Sequence, residues 1–291
     1  MTIRHPRSTQ FKANSGSHSM HNAASNGHRN ARHRAGGWEP LADWYDGWMG
    51  KNGSLHHQRL AIPAVMELLS AQPGEKILDI GAGQGVLAPH VIQAGADYTG
   101  LDASPSLLRQ ARKHHRQGRF LLGDARNLQR LAGMQANMFD AAVFLLSIQD
   151  MDPLPAVMEA VAWVLRGGGR VVILMLHPCF RVPRQSGWGW QEERKVRFRR
   201  IDRYLTPLSV PLKEYPGQGS GVSISFHRPL QHYINTLADC GLLIEQMKEI
   251  TTYKTSRENT QGLQRVQARA ENLANQEIPL FLALRARKAC L

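Results

Sequence analysis

Three glycines at alternate positions, Gly81, Gly83 and Gly85, follow directly on the buried-type run KILDI. A turn with so few side chains lets a ligand approach the backbone closely, and it equally suits a tight structural turn. Two carboxylates give the turn a chemical context. Asp102 stands 21 residues after Gly81, at the end of the next strand-like segment, where a carboxylate can accept two hydrogen bonds from a ribose. Asp124, in GDA, ends a third such segment, where its side chain can meet an adenine amino group. One elongated nucleoside would span all three. The nicotinamide-dinucleotide fingerprint G-x-G-x-x-G/A fits less well, because its last position is Val86 here.

The elements that must hold these residues alternate. KILDIGA, DYTGLDAS, RFLLGDA, FDAAVFLLS and GGRVVILML are short buried strands, the fifth after a glycine stop. Between them VLAPHVIQAG closes on Gly95, SPSLLRQARKHHRQ opens with Ser104 as N-cap, and PLPAVMEAVAWVLR carries Pro near its start. Strands alternating with helices of this length predict a parallel sheet wound by right-handed crossovers. Later, PLQHYINTLADCG reads as a helix, and LLIEQMKEI and PLFLALRARK as two more strands, with the polar segment 251–276 between them partly helical. Ahead of the first strand lie the aromatic WEPLADWYDGWMG and the helically spaced LAIPAVMELLSAQ.

D-x-G-x-G-x-G, LDAS, GDA and FDAAVF together resemble the class I S-adenosylmethionine-dependent methyltransferases. The flanks WYDGWMGKNGSLHHQ, HPCF and HRPLQHYINTLADCGL are similar to the small-molecule branch that includes the ubiquinone and menaquinone C-methyltransferases. The resemblance implies a Rossmann-like, doubly wound, mostly parallel seven-stranded α/β sheet, with an N-terminal helical lid and an insert after strand 5 over about 181–227. It also implies S-adenosylmethionine as cofactor and a small-molecule methyl acceptor. Carried over by motif, Asp79, Gly81, Gly83 and Gly85 hold the methionine end, Asp102 the ribose, and Asp124 and Ala125 the adenine, with Ala82, Ala103 and Leu145 also expected to contact the cofactor. The lid nominates Tyr45 for cofactor contact; alternatively Trp44, Tyr45 and Trp48 only pack the lid helix.

For the acceptor, the residues beyond strands four and five are Gln149, Asp150 and His177. His177 is the candidate for substrate contact and, if the acceptor carries a proton, for general base; the other reading is a histidine that orders the insert. Trp188, Trp190 and Tyr204 either line a flat substrate or form the insert's own core. The arginine-rich VRFRRIDRYL either holds an anionic substrate group or is a solvated face.

The net charge of +13 invites a nucleic-acid methyltransferase as the alternative. Against it, FLLSIQDMDPLP lacks the [DNS]PP[YF] motif of amino-group methylation after strand four, and Cys179 follows strand five rather than strand four. Part of the charge is local: residues 1–37 hold six Lys/Arg and no Asp or Glu, the composition of a disordered basic tail that also resembles a transit peptide. Residues 38–291 are then the catalytic domain. Three widely spaced cysteines offer neither a disulfide framework nor a CxxC metal pair. With no apolar run long enough to span a bilayer, the expectation is a cytoplasmic monomer or homodimer without metal.

Overall fold

The computed structural model describes residues 37–213, 222–256 and 262–290, without the side chains of residues 46 and 48. The basic segment 1–36 and the Trp48 side chain therefore lie outside the described residues. Seven strands form one sheet: β1 (Lys76–Ile80), β2 (Asp97–Asp102), β3 (Arg119–Leu122), β4 (Phe139–Leu145), β5 (Leu165–Leu176), β10 (Leu242–Ile250) and β11 (Phe281–Lys288). Four more build the insert, β6 (Ser186–Gln191), β7 (Val196–Ile201), β8 (Leu208–Lys213) and β9 (Val222–His227). The helices are α1 (Ala42–Met49), α2 (Ile62–Leu69), α3 (Ala88–Gln93), α4 (Pro105–His114), α5 (Leu154–Val164), α6 (Leu230–Asp239) and α7 (Leu263–Glu277).

The sheet runs β10-β11-β5-β4-β1-β2-β3, and β11 is its antiparallel strand. The chain winds outward from β1 through β2 and β3, then returns to β4 and winds the other way. The switch lies between β1 and β4, whose carboxyl ends open the crevice in which such sheets hold ligands. Apolar residues on both faces account for the continuous hydrophobic runs. Ile77, Val143 and Leu145 pack with α2, α3 and α4, while Leu78, Ile80 and Phe144 pack with α5 and α6.

Local chemistry sets the element ends. The Ser104 hydroxyl accepts the Leu107 N–H at 3.1 Å, the expected N-cap of α4. The glycine stop expected before the fifth strand is instead a bulge inside it. Leu165 already pairs with Phe139, and the register resumes at Arg170 opposite Ala141. Gly168, at φ +71°, makes the excursion. The insert forms two antiparallel hairpins, β6–β7 and β8–β9. No helix among the described residues is long and apolar enough to cross a membrane, and none of their His, Cys, Asp and Glu groups is arranged to hold a metal ion.

Candidate cofactor and acceptor site

The carboxyl ends of β1, β2 and β4 converge on the glycine turn. The N–H groups of Gly81 and Ala82 both donate to Leu101 O, and the Ser147 hydroxyl, just past β4, donates to Ile80 O at 2.6 Å. The three glycines serve different ends. A Cβ on Gly81 would stand 2.5 Å from that of Ser147, and one on Gly85 would stand 2.8 Å from the Phe120 ring, so both are there for packing. Only at Gly83, at φ +54°, is the nearest atom as far as 3.8 Å, on the Tyr45 ring. Of the three, Gly83 is thus the one whose missing side chain leaves room beside the backbone.

Asp102 stands beside it with both oxygens engaged by backbone donors. Oδ2 accepts Gly83 N–H and Oδ1 accepts Ser104 N–H, each at 2.8 Å. Burial raises its carboxyl above the usual range, and those two bonds and the Ala103 N–H oppose the rise. Asp79 is 1% exposed. Its Oδ2 accepts the Tyr98 hydroxyl at 2.7 Å, while Oδ1 has no hydrogen-bond partner among the described residues. Burial, against the pull of Tyr98 and with the help of Asp102, pushes this carboxyl up to about 7. Ala82 and Leu145 are buried beside the turn. Asp124 caps the short 3-10 helix Ala125–Arg130 and is gripped by the Arg126 guanidinium at 2.5 Å.

A lid closes this edge. Trp38 donates its indole N–H to Asp150 Oδ2 at 2.9 Å, beyond β4, and its ring lies 5.0 Å from Tyr45. Glu39, in the following residue, accepts the Ser106 N–H and both the Ser104 and Ser106 hydroxyls at the start of α4. A carboxylate there is favoured by the helix dipole. The lid thus spans from β4 to α4 with Tyr45 over Gly83. Neither Trp38 nor Glu39 is singled out by sequence pattern, because each bond joins residues more than sixty positions apart.

The β4 side ends in polar groups. Burial pushes Asp150 up to about 7, opposed by bonds from Trp38 and Ser225 and by the Arg228 charge. Asp150 Oδ1 and Gln149 Oε1 are buried and have no hydrogen-bond partner among the described residues. His177 is engaged by other partners. Its Nε2 is 2.8 Å from Glu249 and its Nδ1 accepts Cys179 N–H at 3.2 Å. With Nδ1 accepting, Nε2 carries the proton and the ring is neutral, in keeping with a burial that lowers its pKa. Nδ1 holds the first turn of the insert, and Nε2 ties the residue to Glu249 of β10. Tyr204 also ties insert to scaffold, accepting Leu230 N–H at 2.8 Å and Cys179 Sγ–H at 3.4 Å. Trp190 bonds Glu192, and Trp188 lies under three arginines.

Residues 77–169 match the family described as Methyltransferase domain. The chain is 26% identical over 163 residues to a demethylmenaquinone methyltransferase of Beutenbergia cavernae, covering 56% of this chain and 62% of that protein. It is 28% identical over 134 residues to a ubiquinone biosynthesis O-methyltransferase of Xanthomonas axonopodis pv. citri, covering 45% and 56%. A solved S-adenosylmethionine dependent methyltransferase of Mesorhizobium loti superposes with TM-score 0.61 at 26% identity, over 82% of this chain and all of that one. Residues 77–169 thus carry a methyltransferase domain, and the fold over most of the chain is that of a solved S-adenosylmethionine dependent methyltransferase.

The chain spans less than two thirds of the length of these two curated relatives. The solved relative of Mesorhizobium loti is an S-adenosylmethionine dependent methyltransferase, and the residues of the site here fit that cofactor on two counts. Gly83 leaves bare backbone where a Cβ would otherwise stand, and the buried Asp79 keeps one carboxylate oxygen without a hydrogen bond.

Proposed function

We infer that this methyltransferase transfers a methyl group from S-adenosylmethionine to a small-molecule acceptor. Asp79 and the turn Gly81, Ala82, Gly83 and Gly85 would hold the methionine end, Asp102 and Ala103 the ribose, and Asp124, Ala125 and Leu145 the adenine, with Tyr45 closing from the lid. Bound there, the cofactor supplies a sulfonium-activated methyl group. The protein's part is to align an acceptor lone pair with that methyl, exclude water and take up any proton the acceptor releases.

The observation that carries this reading is the lid contact at Asp150. Trp38 bridges to one carboxylate oxygen over the cofactor edge and the other oxygen is buried, so the reacting end is roofed. A roofed centre favours a small acceptor over a duplex. An Asp150 carboxyl near 7 suits a proton acceptor at neutral pH. The names of the two curated relatives, a demethylmenaquinone methyltransferase and a ubiquinone biosynthesis O-methyltransferase, also support a small acceptor.

Two measurements test it. Calorimetry should show S-adenosylmethionine binding weakened about ten- to a hundredfold by Asp102→Ala, the loss of about 1.5–3 kcal/mol of charge-assisted hydrogen bonds; unchanged affinity would remove Asp102 from the site. Mass spectrometry of a metabolite extract incubated with protein and cofactor should find a species heavier by one methylene. Methylation of bulk RNA with no such species would replace this reading by a nucleic-acid one.

A further inference from the structure

A pocket of about 660 Å³ lies on the same edge of the sheet, beyond β5, β11 and β10, in the size range of sites for drug-sized ligands. It is strongly basic. Arg59, Arg181, Arg197 and Lys254 line it, and Glu271 is the one carboxylate lining it among the described residues. Glu271 is already paired with Arg197. Arg59 and Lys254 have no carboxylate partner among the described residues; the Arg59 guanidinium lies 5.0 Å from the Tyr253 ring centre.

The hairpin β6–β7 concentrates the charge further. Alternation places Arg197 and Arg199 on one face, and Trp188 pairs directly with Arg199. The guanidiniums of Arg181, Arg197 and Arg199 stand 5.3, 4.6 and 5.3 Å from the Trp188 ring centre. Burial and the charges of Arg199 and Arg197 hold Arg181 down at about 10. Like charges crowded around one indole repel, and an anion seated among them relieves the repulsion.

We propose that this pocket is the subsite for an oxyanion group, a carboxylate or phosphoryl, carried by the methyl acceptor. This rests on the small-molecule reading above and narrows it. Strand spacing sets the acceptor's length. The glycine turn ends β1, two strands from β5 and three from β11, so at ~4.8 Å per strand the anionic group lies about 10–14 Å from the cofactor edge. The same chain segment serves both ends. Tyr45 covers Gly83, and the π turn His57–Ala61 that follows presents Arg59 to the pocket. A half-open pocket of this volume has room for one such group and a short scaffold, whereas a nucleic acid needs an extended phosphate track.

Two measurements on the full chain test the subsite. The first uses inorganic phosphate and phthalate as probes in thermal melts, with sodium chloride holding ionic strength constant. Both probes are expected to raise the midpoint of the parent, and Arg59→Gln and Arg181→Gln to weaken each probe at least tenfold. No stabilisation, or stabilisation unaffected by both substitutions, overturns the subsite. A phosphate-only response assigns a phosphoryl group, and a phthalate-only response a carboxylate.

The second separates the metabolite extract by anion exchange before incubation with cofactor. The methylated species should come from the retained fraction, and the two variants should raise its KM at least tenfold while S-adenosylmethionine affinity stays within twofold. A product from the neutral fraction overturns the anionic acceptor and leaves the small-molecule reading standing. Probe binding together with methylation of RNA alone overturns both.

Discussion

Asp79 is where burial and charge are most directly opposed. Its folded carboxyl titrates near 7 against roughly 3.9 in an unfolded chain, so the fold prefers the protonated form. Its contribution to stability is therefore fully present below about pH 4 and is lost as pH rises through 7. Three pKa units correspond to about 4 kcal/mol at most. Asp79→Asn cannot ionise and keeps an oxygen for the Tyr98 hydroxyl. Melts between pH 5 and 8 should show the variant gaining on the parent as pH rises, by up to about 2.6 kcal/mol over that window; a constant difference would mean that Asp79 is charged throughout. The same group shows what single residues disclose from sequence. Its place before the glycines is legible in the D-x-G-x-G-x-G spacing, whereas its orphaned oxygen depends on Tyr98, one strand away.

Among elements, the joint between β5 and the insert turns on His177. The His177 ring accepts Cys179 N–H, reaches Glu249 of β10 and packs 4.7 Å from the Phe180 ring, while the His177 backbone N–H donates to Leu280 O. This geometry favours a positioning residue over a base. His177→Ala should cost about 1–3 kcal/mol of stability for the buried bonds it leaves unmade. It should raise the acceptor KM by an equal factor at every pH, and His177→Asn, which can still accept the Cys179 N–H, should recover part of both. Turnover restored only at high pH would make His177 the base instead. The elements themselves were largely readable. Apolar runs punctuated by glycine and proline mark each sheet strand from β1 to β5 and the helices between them, because local pattern determines local structure. The bulge at Gly168 was not readable, since the triplet Gly167–Gly169 looks like a stop until Leu165 is seen paired with Phe139. Nor was the pocket side of segment 251–276, whose polar sequence gives no hint that Tyr253 and Lys254 meet Arg59 across the fold.

At the scale of the whole molecule, the first described residues belong to the working site. Residues 1–36 have the composition of a segment unable to bury apolar surface, whereas Trp38 and Glu39 fasten the lid and Leu41 is buried. We expect deletion of residues 1–36 to leave the thermal midpoint and S-adenosylmethionine affinity nearly unchanged, and deletion of 1–41 to weaken that affinity more than tenfold. Calorimetry and melts on the two truncations check this; equal behaviour of the pair would show that the lid does not hold the cofactor. The lid also bears on affinity. Residues 38–61 form one ribbon that carries Tyr45 to the glycine turn and Arg59 to the basic pocket, so neither mouth closes without setting a wall of the other. With cofactor and acceptor bound as proposed, the ribbon couples the two, and by reciprocity each changes the other's affinity by the same factor. Acceptor affinity titrated with and without cofactor would differ by that factor, and the ratio measures how tightly the ribbon joins the two mouths.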